Sequence, residues 1–229
     1  MGYFIIVGLF GLVGMLVSQR LKSKFKQYEQ VPTSSGLSGA QFAKVMLDHY
    51  GIHDVKIVQG KGFLSDHYNP QTKTVSLSPA VYQGKNVSAA AVATHECGHA
   101  VQHNEGYAWL QFRSGMVPIV KFASMAQQYL LYAIIGMFGA GISNNPTLIL
   151  VAIVAFGATA LFSVVTLPVE FDASNRAIAW LDNSGMIQDE EYYGAKDALW
   201  WAAMTYVVGA LSAIATVLYL ALRFMGSND

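Results

Sequence analysis

The chain contains 229 residues, of which 53% are hydrophobic and only 12% are charged. Soluble globular domains carry roughly twice that charged share, so the composition indicates a membrane protein, and its hydrophobicity excludes an intrinsically disordered chain. Lys and Arg number 14 and Asp and Glu number 14, and this zero net charge removes the electrostatic basis for a nucleic-acid partner.

Three stretches of the sequence lack any charged side chain and predict membrane-spanning helices. The first precedes Arg20, the second covers 122–169 and the third covers 198–222. One span needs roughly 20 apolar residues, so the second stretch predicts a hairpin of two helices that turns at 144–146. We therefore expect a mainly α membrane protein with about four transmembrane helices.

Basic residues after the first stretch predict how the protein is inserted. Four of them follow the first helix directly: Arg20, Lys22, Lys24 and Lys26. Lys and Arg close to a span stay on the cytoplasmic side. A signal peptide carries its positive charge before the apolar region, so the order here indicates an uncleaved anchor. With four crossings, 20–121 and 170–197 both lie in the cytoplasm.

The resulting organisation predicts a multi-pass protein of the cell membrane in five parts. An anchor is followed by a membrane-proximal, cytoplasmic α+β domain and a transmembrane hairpin. A cytoplasmic helical segment and a final transmembrane helix with a short tail complete the chain. Their predicted bounds are 1–19, 20–121, 122–169, 170–197 and 198–229.

The sequence of the membrane-proximal domain predicts two helices and a few short strands. Apolar residues at helical spacing predict a helix over 35–50 that stops at Gly51. A second helix begins at Asn86 or Ser88 and continues at least to Gln102. Strands are indicated by β-type composition and intervening turn residues, and they are expected at 55–58, 63–67 and 72–77.

The second helix carries His95-Glu96-Cys97-Gly98-His99, which fits the pattern His-Glu-x-x-His. Residues four apart on a helix share a face, so the two imidazoles can bind one tetrahedral Zn²⁺. Glu96 can act as general base toward a water that the metal activates. The pattern indicates a zinc site with one ion per chain, whereas Cys97 points elsewhere on the helix and is expected to pack.

A catalytic zinc needs a third protein ligand. His103 lies eight residues from His95, about 12 Å along the helix, and is too distant. A better place follows the third membrane span, where Pro168 suits the first turn of a helix. Glu170 lies at the membrane border with no cation close in sequence, a costly position unless the carboxylate has a partner. We expect Glu170 to be the third ligand.

Two carboxylates after Glu170 stay open as alternative ligands. Asp172 can bind the metal, or it can pair with Arg176 four residues later on the same helix. Asp182 can bind the metal, or it can lie in a solvated turn before Gly185. In both cases the structural interpretation is the stronger one.

Together, these motifs resemble a bacterial membrane-bound family of neutral zinc metallopeptidases. The resemblance rests on 66–78, on the His95 to His99 motif and on 167–177, and it covers nearly the whole chain. It implies a zincin-like insert with peptidase activity. Larger membrane gluzincins are more distantly similar, and in them a Glu on a later helix supplies the third ligand. Their Ala-Asp pair, three and four residues after that Glu, is replaced here by Ala173-Ser174.

Weaker candidates surround this predicted site. His67, Asp172 and Arg176 are considered for stabilising the oxyanion of the reaction or for supporting the metal ligands. The predicted strand 72–77 is expected to offer an edge on which an extended substrate adds by main-chain pairing.

These features favour a zinc endopeptidase that hydrolyses membrane or membrane-proximal proteins. The alternative is a catalytically silent, zinc-binding membrane scaffold or adaptor, which the same ligands would support. A transporter or channel is disfavoured because the spans carry no charged side chain. The expected partners are a protein or peptide substrate and the lipid bilayer, and a membrane-protein partner or a homo-oligomer is compatible with the sequence.

Overall fold

A computed structural model describes residues 2–62, 65–136 and 146–226. Helices dominate, which confirms the mainly α class. In chain order the elements are α1 (Gly2–Glu29), α2 (Gly39–His49), β1 (Lys56–Gln59), β2 (His67–Asn69), β3 (Thr74–Leu77), α3 (Pro79–Gln83), α4 (Val87–Asn104), α5 (Ala108–Gly136), α6 (Pro146–Ser184) and α7 (Asp189–Met225).

The chain divides into two compact units. The helical unit comprises Met1–Leu16, Phe112–Leu167 and Thr205–Asp229, and the mixed unit comprises Val17–Gln111 and Pro168–Met204. All three strands, α2, α3 and α4 belong wholly to the mixed unit, whereas α1, α5, α6 and α7 contribute residues to both units. The five-part division expected from the sequence stays a prediction.

In the mixed unit, α2 begins and ends with local signals that the sequence carries. Ser38 caps its first turn in a capping box, because the Ser38 side chain accepts from the backbone of Gln41 and the Gln41 side chain accepts from the backbone of Ser38. Gly51, with φ of +67°, follows its end and confirms the predicted stop. Phe42 and Met46 are fully buried and anchor the helix in the core.

The sheet has the strand order β1-β3-β2, with β1 parallel and β2 antiparallel to the central β3. The expectation that 72–77 offers an edge is wrong, because β3 is paired on both sides. The strand expected at 63–67 is instead β2, and Phe63 and Leu64 lie outside the described residues. Asn69 explains where β2 ends. Its side chain accepts hydrogen bonds from the backbone of Gln71 and Thr72 and closes the turn directly after the strand.

The helix with the His-Glu-x-x-His motif, α4, is buried along almost its whole length. Asn86 caps its start by accepting from the backbone of Ala89, which confirms one of the two predicted starts. Cys97 is fully buried, as its expected packing role requires, and burial raises the pKa of its thiol. Small side chains on several sides of α4 allow other elements to approach it closely.

Three described helices are long and apolar enough to cross a membrane: Ile5–Glu29, Pro146–Ser184 and Asp189–Met225. The helix α5 does not qualify over its described length, and the second predicted span continues into 137–145, which lie outside the described residues together with most of the expected turn at 144–146. The count of four spans and the cytoplasmic insert therefore stay predictions.

Pro168 lies inside α6, so its expected place in the first turn of a new helix is wrong. A proline inside a helix lacks the N–H that would donate to the carbonyl four residues earlier. Long membrane helices tolerate this loss because neighbouring groups satisfy the freed carbonyl. The segment with Glu170 is thus the continuation of an apolar helix that starts at Pro146.

Candidate metal centre

Three of the predicted site residues meet in the mixed unit. His95 and His99 of α4 direct their Nε2 atoms at Glu170 of α6, at 3.4 Å and 3.6 Å from its Oε2 atom. The ligand atoms of these three side chains all lie within 4.8 Å of one another. The two imidazole rings stand nearly perpendicular, with an interplanar angle of 82°.

These distances and donor types fit a zinc ion. A tetrahedral site with bonds of about 2.0–2.2 Å has ligand–ligand edges of about 3.3–3.6 Å. The nitrogen–oxygen distances of 3.4 Å and 3.6 Å match such edges. Glu170 is only 3% exposed, and a buried carboxylate is costly without a positive partner. Two imidazoles and one carboxylate leave a fourth position open, as a catalytic zinc requires.

A close contact between α4 and α6 brings the three ligands together. Gly98 lies between the two histidines, and a Cβ atom on it would come within 2.5 Å of the Ala173 carbonyl oxygen. Only a glycine lets the backbones approach so closely. The neighbour of Gly98 in space is thus the helix turn that carries Glu170.

Gln102 orients His99. The Nε2 atom of the Gln102 amide donates to the Val169 carbonyl and to the Asp172 carboxylate, both at 2.8 Å. Two acceptors on that side fix the amide orientation, so its Oε1 atom faces the Nδ1 atom of His99 at 3.0 Å and accepts the proton there. With the Nδ1 proton held by Gln102, the Nε2 atom of His99, which is directed at Glu170, is the ring nitrogen that can bind a metal.

Ser174 orients His95 as Gln102 orients His99, because the Ser174 hydroxyl lies 3.1 Å from the Nδ1 atom of the His95 ring. It lies four residues after Glu170, where the larger membrane gluzincins carry Asp. A hydroxyl can accept the Nδ1 proton of His95 as a carboxylate would, but it adds no negative charge.

Asp172 and Arg176 form an ion pair, as the structural interpretation of the sequence expected. The Nε atom of Arg176 donates to Asp172 at 2.5 Å, and its Nη1 atom donates to Glu105 at 2.5 Å. Asp172 also accepts from Gln102. Asp172 thus reaches the candidate metal centre through Gln102, and Arg176 reaches it through Asp172.

Glu96 lies on α4 between the two candidate ligand histidines and is buried, with 8% of its surface exposed. Its charge acts on His99 together with that of Glu170. Burial alone would lower the pKa of His99, but the hydrogen bond and charge of Glu170, with the charge of Glu96, outweigh it and raise that pKa. Before a metal binds, the carboxylates around His99 therefore favour its protonated form.

The remaining candidates lie outside this cluster. His67 is exposed on β2, with its Nδ1 atom 2.8 Å from the Ser65 carbonyl oxygen. Asp182 is an exposed residue near the end of α6. His103, judged too distant to bind the metal, has its Nδ1 atom 2.8 Å from the hydroxyl of Tyr68.

Sequence reasoning missed Gln102 and Ser174. The only available signals were two spacings. Gln102 lies three residues after His99 and Ser174 lies four residues after Glu170, so each shares a helix face with a candidate ligand. Those spacings are common for any helical pair, so they become informative only when the partners of the side chains are known.

Comparisons with known proteins find one matching family and a relative that covers most of the chain. The sequence model of the family described as "Putative neutral zinc metallopeptidase" matches residues 3–225. The protein named "Putative membrane protease YugP" of Bacillus subtilis (strain 168) is 39% identical over 210 residues, which cover 92% of this chain and 91% of that protein. No solved structure matches the chain.

Proposed function

The chain belongs to this family of zinc metallopeptidases, and from that premise we propose that it is a membrane-embedded zinc endopeptidase acting on membrane or membrane-proximal proteins. The geometry of three zinc donors carries the proposal. His95, His99 and Glu170 come from two different helices, yet their ligand atoms lie within 4.8 Å of one another. Such convergence of titratable groups, of which His99 and Glu170 are buried, is unfavourable without an ion to hold.

His95, His99 and Glu170 would hold the metal in this mechanism. A zinc ion bound there would act as a Lewis acid toward the scissile carbonyl and lower the pKa of water toward about 7. Glu96 accepts the proton of the attacking water and transfers it to the departing amine. Its place on α4, one residue after a ligand, holds its carboxylate beside the reacting atoms.

Two hydrogen bonds, one buried and one partly buried, prepare the histidines for this role. Gln102 accepts the Nδ1 proton of His99, and Ser174 accepts that of His95. Each bond fixes the ring orientation and keeps the Nε2 lone pair available. Asp172 and Arg176 support Gln102 from the other side, so their contribution is to positioning.

The decisive experiment compares the wild-type chain with Glu96→Gln. The variant keeps the shape of the side chain but loses the base, so peptide cleavage should fall about 10²–10⁴-fold while bound zinc stays near one ion per chain. Cleavage is measured on unfolded protein substrates, and zinc by elemental analysis.

The same pair of proteins tests the scaffold alternative. A scaffold would show no zinc-dependent cleavage in the wild type, and its cellular phenotype would be unchanged in Glu96→Gln. Equal cleavage by both proteins would exclude Glu96 as the general base and contradict the proposed mechanism.

The proposed topology is a multi-pass arrangement of four spans with the mixed unit in the cytoplasm. It is supported by the basic residues after the first span and by the three long apolar helices. A cysteine at exposed Lys61 should react with a thiol reagent only after the membrane is made permeable to it. Labelling in intact cells would contradict the predicted orientation and place the mixed unit outside the cytoplasm.

A further inference from the structure

A cavity of about 290 Å³ lies in the mixed unit between α1, α3 and α4. Its walls are mainly apolar and include Leu21, Phe25, Val81 and Val92. Four charged residues also line it: Lys22, Lys26, Glu29 and Asp66. The first three are exposed to solvent, and the Asp66 carboxylate accepts hydrogen bonds from the Ser78 backbone at 2.7 Å and from the Ser78 hydroxyl at 3.1 Å. The cavity therefore favours an apolar group over a charged one.

The helix α4 connects this cavity with the candidate metal centre. Ser88 and Val92 line the cavity, and residues three, four and seven positions after Val92 lie on its side of the helix. Those residues are His95, Glu96 and His99. At 1.5 Å per residue, His95 lies about 4.5 Å along the axis from Val92 and about 10.5 Å from Ser88.

The edge strand β2 runs alongside α4 between the cavity and His103. Asp66, directly before β2, lines the cavity, and the hydroxyl of Tyr68 lies 2.8 Å from the Nδ1 atom of His103, one turn beyond His99. A strand along this line offers main-chain groups to an extended peptide. Such a peptide advances about 3.3–3.4 Å per residue, so the distance from cavity to metal centre corresponds to one to three residues.

We propose that this cavity binds an apolar side chain of the substrate, located one to three residues from the scissile bond. The proposal rests on the proposed peptidase function and names its specificity. A volume of about 290 Å³ can hold one apolar side chain.

The test uses a variant that fills the cavity from its rim. Ala80 lines the cavity and is exposed, so Ala80→Leu adds apolar volume there without entering the buried core. The matched control is Ala179→Leu, at an exposed position of α6 that does not line the cavity. All proteins are studied as the full zinc-loaded chain in detergent, with thermal unfolding measured to confirm that they fold.

Cleavage sites are mapped by mass spectrometry in a mixture of tryptic peptides from a bacterial lysate. The wild type and Ala179→Leu should prefer Leu, Met or Phe at one position within three residues of the cut. Ala80→Leu should lower kcat/KM for those peptides about tenfold or more and shift the preference toward Ala and Val. Leu21→Ala, which enlarges the cavity, should shift it toward larger side chains. An unchanged preference in both cavity variants would overturn the proposal.

A second measurement does not depend on cleavage. Full-length Glu96→Gln is incubated with Ala- and Ser-rich decapeptides that carry one photoreactive leucine, and the crosslinked residues are identified. We expect crosslinks on Phe25, Ala80 and Val92 that Ala80→Leu abolishes. Crosslinks confined to other surfaces would refute the cavity as the binding site. Cavity crosslinks with a wild type that cleaves nothing would instead support the cavity and refute the peptidase function.

Discussion

Large apolar side chains are buried in the core of the mixed unit, whereas many of those in the helical unit are exposed. In the mixed unit Phe42 and Leu47 are at most 1% exposed, whereas in the helical unit Leu12 is 60% and Phe122 is 75% exposed. Burial from water stabilises the first arrangement, and exposed apolar helix faces are typical of a surface that meets lipid. The difference teaches that one short chain combines a water-type core, which carries the candidate metal centre, with helices suited to a bilayer.

The largest expected effect on stability comes from emptying the core of the mixed unit. Leu47→Ala should lower the free energy of unfolding by about 2–5 kcal/mol, because it leaves a cavity among buried side chains. Leu12→Ala, in the helical unit, should change it by about 0.5 kcal/mol or less. Thermal unfolding in detergent measures both. Equal losses would show that the helical unit has a comparable packed core.

The next effect concerns glycines. Gly98→Ala places a Cβ atom within 2.5 Å of the Ala173 carbonyl and should cost about 1–3 kcal/mol by forcing α4 away from α6. The same movement separates the histidines from Glu170, so zinc affinity should fall as well. Gly157→Ala, in the helical unit, meets no atom within 4 Å and should leave both quantities unchanged. Normal zinc binding by Gly98→Ala would contradict the close contact.

Two glutamines offer a subtler comparison. Gln102 and Gln127 each donate to a backbone carbonyl of α6, at 2.8 Å and 2.9 Å. Gln102→Leu should weaken zinc binding about 10–100-fold because His99 loses the group that orients it. Gln127→Leu should leave zinc affinity as it is. Competition with a chelator measures the affinities, and a wild-type value for Gln102→Leu would remove this residue from the positioning role.

The smallest effect is that of pH, and it belongs to the mixed unit, which contains every histidine of the sequence. The pKa of His99 is raised by Glu170 and Glu96 despite its burial. A raised pKa lets protons compete with zinc at higher pH than an ordinary histidine allows, so zinc affinity should begin to fall while the pH is still above about 6.5, the ordinary histidine pKa. Zinc titration between pH 5.5 and 8 measures this, and a flat profile would contradict it.

Much of the fold followed from local signals in the sequence. Asn86 marked the start of α4, and Gly51 marked the end of α2. The predicted start of α2 at residue 35 was four residues early, because Ser38 caps the helix. Charge-free stretches predicted the long apolar helices. The errors arose where the outcome depended on distant partners: β3 lies in the centre of the sheet because β1 and β2 both pair with it. Pro168 lies inside α6 because the helix that starts at Pro146 continues without a break to Ser184.

The sequence by itself determined the spacing of His95, Glu96 and His99, because a helix repeats every 3.6 residues and needs no distant partner to bring these side chains to one side. Only the tertiary structure decided which carboxylate faces the histidines. Glu170, Asp172 and Asp182 are chemically alike and close in sequence. What distinguishes Glu170 is the approach of α6 to α4 at Gly98, a packing contact between residues far apart in the chain.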